Sequence, residues 1–306
     1  MDKVELDLLK EITGVENGEF KGAYNIRKDG KGVERKITEN INIVTKKDVS
    51  GIDIYVKENT KFEFVHIPVI ITQSGLDDVV YNDFYIGKNA KVTIVAGCGI
   101  HNDHHKDSSH DGIHRFFLEK GAKVKYIEKH YGEGNGTGKR ILNPVTEVYL
   151  KENATLEMES VQIKGVDSTI RTTKGIIEQN ASFVVSEKIM THGEQYAKTV
   201  FNVELNGENA STKVTSRSVA TENSKQEFCS KVTGNERCFG HVECDAIIKD
   251  TAKVIAIPEI IANNVEANLI HEAAIGKIAG EQLTKLMTLG LTEKEAEEAI
   301  INGFLK

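Results

Sequence analysis

The chain repeats itself, and the repeat decides what it can fold into. An alternating strand, a tight corner and a second alternating strand recur at 54–65, 84–95, 116–127 and 148–159. Lys57-Glu58-Asn59-Thr60 and Lys151-Glu152-Asn153-Ala154 mark two of the corners. Weaker copies occupy 175–185, 203–214 and 246–256. The small residue after each corner falls at Thr60, Ala90, Ala122, Ala154, Ala181, Ala210 and Ala252, at steps mostly of about thirty residues. Asn or Gly before it tolerates the left-handed backbone that a sharp corner needs. One such unit has an apolar face it cannot bury alone, and stacking successive copies buries it. The repeat therefore predicts a mainly β chain built as a parallel β-helix or another β-solenoid. A β-sandwich is the competing solution, but corners such as Asn59-Thr60 and Asn89-Ala90 are not the Asn-Gly or Asp-Gly pairs of two-residue hairpins.

The ends depart from the repeat and set the expected organisation. Val4, Leu8, Leu9 and Ile12 are spaced for a short amphipathic helix, followed by a glycine-broken stretch from Gly14 to Gly32. At the other end Leu283, Leu286 and Met287 share a helix face that stops at Gly290. A second helix starts at the capping box Thr292-Glu293-Lys294-Glu295. The expected segments are an N-terminal helical and irregular arm at 1–40, a solenoid core at 41–264 and a C-terminal helical hairpin at 265–306. The hairpin has few interior partners, so it either caps the solenoid or offers its apolar face to another protein.

Charge and composition exclude some functions. A net charge of -7 with Lys and Arg spread along the chain leaves no basic stripe for nucleic acid. No apolar run reaches the roughly 18 residues of a membrane span, and the N-terminus is charged, so the expectation is a cytoplasmic protein without anchor or leader. Four cysteines, at 98, 229, 238 and 244, then read as reduced thiols. The glycine-rich run Gly132 to Arg140 resembles a phosphate loop only by eye, because Arg140 stands where Ser or Thr must follow the lysine. It reads as a mobile excursion between coils.

Two constellations could hold metal. Cys238, His241 and Cys244 lie at intervals of three, followed by His271-Glu272. A thiolate, an imidazole and a carboxylate suit iron, but residues three apart on a strand face opposite ways, so a bend near Gly240 would be needed. By itself a lone Cys244 is more often a buried structural cysteine. The second group runs from Cys98 and His101 through His104, His105 and His110 to His114, with Cys98 and His101 as its leading members. It matches no standard zinc spacing, and a polar surface loop is the better explanation. Glu128-Lys129-His130 and His192-Gly193-Glu194 read as surface strand residues.

A family resemblance rests on Cys244-Asp-Ala-Ile-Ile, Ile257-Pro-Glu-Ile, His271-Glu-Ala and the stretch from Glu281 through Gly290-Leu-Thr-Glu-Lys-Glu to Phe304. His66-Ile-Pro and Gly112-Ile-His-Arg-Phe-Phe extend it through the repeats. Together they resemble the SufB/SufD family of iron–sulfur cluster assembly scaffolds, in the form of a short SufB-like protein. The resemblance implies a right-handed parallel β-helix and C-terminal helices that dock a SufC-like ABC ATPase. It also implies pairing with a second copy or a SufB/SufD paralogue, a sulfur donor and recipient apo-proteins, and a transient [4Fe-4S] or [2Fe-2S] cluster. The cluster-associated cysteine falls on Cys244 and the ligand-like glutamate on Glu272, with His271 beside it. Larger SufB proteins have a further acid where this chain has Ile270, and a sulfur-accepting cysteine near 145–150, where this chain has none. The family's role is non-catalytic, with ATP hydrolysis in the partner. A metal-free adaptor of the ATPase and a solenoid enzyme acting on polysaccharides are the alternatives, the latter disfavoured by the absence of Trp.

Overall fold

The computed structural model describes residues 1–15 and 19–305. Strands make up 58% of the chain and wind into a β-solenoid of about 8 turns, with three helices at the termini. Two long sheets run the length of the stack, and consecutive strands alternate between them. Apart from two antiparallel pairs at the N-terminal end, neighbours within a sheet pair in parallel and in register: Met158, Val185, Val214, Val242 and His271 form one inward column. The parallel β-helix expected from the repeat is the observed fold.

The corners explain the register. Asn59, Asn89, Asn153, Asn180 and Asn209 all have φ between 54° and 61°, and Gly121 has φ 71°. In each of these turns the next residue points inward: Thr60 is 4% exposed, and Ala90, Ala122, Ala154, Ala181 and Ala210 are fully buried. Anything larger would force adjacent coils apart. Side-chain amides of neighbouring corners bond to each other, as in Asn209 to Asn180 at 3.1 Å and Asn263 to Asn235 at 2.7 Å.

Helix α1 (Lys3–Thr13) begins at a capping box formed by Asp2 and Glu5 and buries Leu8, Leu9 and Ile12. It lies on the outer face of the strand Lys91–His101, where Gly97 and Gly99 make room: a Cβ at Gly97 would meet Ile12 at 3.0 Å, and one at Gly99 would meet Leu8 at 3.1 Å. The arm expected at 1–40 also contains an antiparallel pair, Ala23–Lys28 with Lys31–Lys36, whose first strand joins the sheet beside Lys61–Ile71. At the far end the strand Asn268–Gly276 pairs with Phe239–Ile248, so the solenoid continues beyond 264. Its alternation, Leu269, His271, Ala273 and Ile275 against Ile270 and Glu272, continues the inside–outside pattern of the turn before it. Helices α2 (Gly280–Thr288) and α3 (Glu293–Phe304) follow. α3 is tied back by Arg217 to the Phe304 carbonyl at 3.4 Å and by Lys249 to Glu297 at 2.5 Å, whereas α2 buries no residue.

The glycine-rich run is not a free excursion. Gly136 and Gly138 donate to the carbonyls of Asn102 and His104 at 3.1 and 2.9 Å. A Cβ at either glycine would fall within 2.2 Å of the 104–106 backbone. The glycines let one loop lie flat on the loop of the coil before it.

Candidate functional site

The candidate ligands at the C-terminal end divide between the two faces of one sheet. Phe239–Ile248 alternates without a bend, with Val242, Cys244 and Ala246 inward and His241, Glu243 and Asp245 outward. Gly240 is needed for packing, since a Cβ there would sit 2.8 Å from Leu269. Cys238 and Cys244 therefore both point in, but six residues along a strand separates them by roughly 20 Å. His241 is on the other side. It lies 3.3 Å from a Glu272 carboxylate oxygen on the outer face, where Glu272 is exposed. Cys244 and Glu272 are thus not brought together within one chain.

Cys244 is 2% exposed. Burial, with smaller contributions from Glu187 and Asp245, pushes its thiol up to about 12. Burial also raises Cys238. In register above Cys244 comes Ala273, and beside it His271 faces inward with a buried Nδ1 that lacks a hydrogen-bond partner. Burial, then His241, lowers the His271 pKa. Cys244 and His271 are the two inward-facing donors of the last two strands of this sheet.

Beyond them the stack is unfinished. In the strand Lys253–Ala262 no residue is buried, whereas every second residue of its neighbour Lys225–Gly234 is. Ile260, inward in register with the buried Val232, is 45% exposed. The inward face here has no next coil to cover it.

The second constellation also divides. Cys98 points inward and burial raises its thiol well above the ordinary range. His101 points outward, bonded to Asp103 at 2.8 Å and Glu133 at 3.0 Å. Burial acts against its charge, but those two carboxylates prevail and raise its pKa. His104 and His105 are exposed on the loop. Only His110 and His114 accompany Cys98 into the interior, one on each side of Gly112.

That interior holds what sequence reasoning misplaced. Glu128 and His130 are buried at 1% and 7% exposure, not on the surface. The chain of hydrogen bonds runs from Asn82 to His114 at 3.3 Å, His114 to the Tyr126 hydroxyl at 2.6 Å and that hydroxyl to Glu128 at 2.8 Å. Arg171 donates to the second Glu128 oxygen and to His130 Nδ1 at 3.1 Å. Burial alone would raise the Glu128 carboxyl, but His130, Arg171 and His114 outweigh it and hold it at about 2. Burial pulls His130 to about 3 and His114 to about 4. Both imidazoles are neutral at pH 7, which leaves Arg171 as the standing counter-charge. One column continues from Glu128 through Ser160, Glu187 and Ser216 to Cys244. Glu187 accepts from Thr199 and Ser216, each at 2.8 Å. The signal was parity: Glu128 and His130 share the alternation of Val124 and Tyr126. Among the described residues, no three His, Cys, Asp or Glu side chains are grouped to hold a metal ion.

The arrangement defines a β-solenoid whose last two turns carry an inward thiol and an inward imidazole at its open end. Residues 69–304 match the family model for the SUF system FeS cluster assembly SufBD core domain, and the chain belongs to that SufBD family. An iron–sulfur cluster assembly SufBD family protein of Methanocaldococcus jannaschii is 28% identical over 290 residues, covering 93% of this chain and 90% of the relative. One from Pyrococcus horikoshii is 28% identical over 264 residues, covering 84% of this chain and 57% of the relative. The iron–sulfur cluster assembly protein SufB of Bacillus subtilis is 27% identical over 229 residues, covering 72% and 47%. Iron–sulfur cluster assembly is thus the function of the family to which this solenoid belongs.

Proposed function

We propose that the chain is a non-catalytic cytoplasmic scaffold on which an iron–sulfur cluster forms and from which it passes to apo-proteins. The cluster is cargo, of the [2Fe-2S] or [4Fe-4S] type. The observation that carries this reading is the unfinished end: a partnerless imidazole nitrogen at His271 lies in the last, uncovered coil, and a buried thiol at Cys244 lies one coil below it. A second copy, or a paralogue, placed against that coil buries Ile260 and brings two sets of donors to one interface. Cys244 and His271 then meet iron from below, and Glu272 and His241 line the rim. A thiol held near 12 is protonated until iron displaces the proton, so ligation is coupled to metal arrival. Replacing thiolates by imidazole and carboxylate makes the site weaker than an all-cysteine one, which suits a cluster that must leave.

The chain has no phosphate loop, so ATP turnover is assigned to a SufC-like ABC ATPase. Its dock is the α2–α3 hairpin, where α2 buries no residue and Met287 and Leu289 are 44% and 76% exposed. No helix among the described residues is long and apolar enough to cross a membrane, in keeping with a cytoplasmic site of action.

The test is anaerobic reconstitution with ferrous iron and sulfide, comparing wild type with Cys244→Ala and Glu272→Ala by absorption and by iron and sulfide counts per chain. A cluster in wild type, lost or destabilised in both variants, is the expected result. No cluster in wild type with the ATPase added would leave a metal-free adaptor as the function.

A further inference from the structure

The opposite end of the solenoid carries a cavity that cluster assembly does not use. It opens between the strand Lys31–Lys36 and the 45–52 segment and has a volume of about 570 Å³, within the range of small-molecule sites, roughly 300 to 1,000 Å³. Three cations line it, and they are not equivalent. Arg27 is held by Asp78 at 2.5 and 2.9 Å, and Lys46 by Asp83 at 2.8 Å and by Asp53. Arg35 has only neutral acceptors: Asn25 Oδ1 at 2.9 Å, the Ile43 carbonyl at 3.3 Å and Thr45 Oγ1 at 2.9 Å. Three bonds occupy three of the five N–H groups of a guanidinium and leave two donors, and no carboxylate pairs with it: Glu34, the one carboxylate in the lining, accepts from the Tyr24 hydroxyl at 2.5 Å instead.

The apolar lining is as particular. Val33 shares a strand face with Arg35 and is 51% exposed, and Val49 on the facing segment is 40% exposed. Both border the cavity with nothing apolar laid over them. A fixed cation beside uncovered aliphatic wall selects a ligand that has both an anionic head and an apolar body.

We propose that this mouth binds a small amphipathic organic anion, its carboxylate or phosphate on Arg35 and its body against Val33 and Val49. Occupancy touches the interior seam at two points, because Arg27 lines the cavity and holds Asp78, and Asn82 lines it and donates to His114. The site stands independently of the cluster-assembly reading.

Isothermal titration of the full chain tests it with four probes: phenyl phosphate, benzoate, benzyl alcohol and inorganic phosphate. Phenyl phosphate or benzoate should bind at least tenfold more tightly than benzyl alcohol and than inorganic phosphate, and the tighter of the two identifies the head group. Arg35→Gln should weaken that binding about tenfold or more, and Val49→Trp, which fills the cavity and leaves the cation in place, should abolish it. Absence of binding by both ring anions overturns the proposal. So does equal affinity for the neutral alcohol or bare phosphate, or affinity unchanged in both variants.

Discussion

The middle turns and the last turn of the solenoid are written in the same repeat, yet only the middle is a core. From 123 to 248 the inward strand residues lie between a coil before and a coil after, and even Glu128, Arg171 and Glu187 are accommodated because neighbouring coils supply partners. The turn made by Lys253–Ala262 and Asn268–Gly276 has the same alternation and is open, with the inward Ile260 45% exposed. A strand's pattern says which face wants cover. It does not say what will cover it.

That contrast can be broken hardest from inside. Arg171→Leu strips the counter-charge from Glu128 and leaves a buried carboxylate alone, for an expected loss of about 3 to 5 kcal/mol in urea unfolding. Adding Glu128→Gln should return much of it. If the single variant is neutral, the seam is wetter than its burial implies.

Acid acts on the same region. His114 and His130 are depressed to about 4 and 3 from an ordinary 6.5, so the unfolded chain binds more protons than the folded one between those limits. Their contribution is complete above pH 6.5 and is lost as the pH falls through that window. By pH 5 the loss should be roughly 2 kcal/mol for each histidine, measured as a falling urea midpoint. A midpoint flat between pH 7 and 5 would show the two imidazoles charging without penalty.

Smaller effects sharpen the comparison. Asn180→Ala removes the side-chain amide that makes left-handed backbone tolerable at φ 54° and should lower stability by about 1 kcal/mol. The same change at Asp250, the corner that leads into the open coil with φ 59°, should do less. At the open end itself Ile260→Asp should change the monomer's unfolding by no more than about 0.5 kcal/mol and abolish self-association in light scattering. A large loss of monomer stability would mean that this coil is already part of the core.

The same contrast measures what the sequence made legible. Corner residues such as Asn89-Ala90 and Asn180-Ala181 carry the fold, because left-handed backbone and a small inward residue are strictly local demands. The SufBD family match followed from the C-terminal segments. The site was less legible. Cys244, His271 and Glu272 were found as residue types, but which face each occupies is settled by strand phase, and phase puts Glu272 opposite Cys244. Cys98 and His101 failed to meet for the same reason. Glu128 and His130 were placed outside because charge was weighed above parity; a partner in another coil, Arg171, reverses that judgement and lies 43 residues away.

The registered columns have a consequence for how such a chain can change length. Inserting one residue between two corners exchanges inside and outside for all that follows in that strand, whereas removing a whole turn between equivalent corner positions, such as 29 residues between Asn180 and Asn209, puts like against like. Growth and shrinkage of this molecule are therefore quantised: the coil, not the residue, is the smallest unit that can be added or lost without disturbing its neighbours.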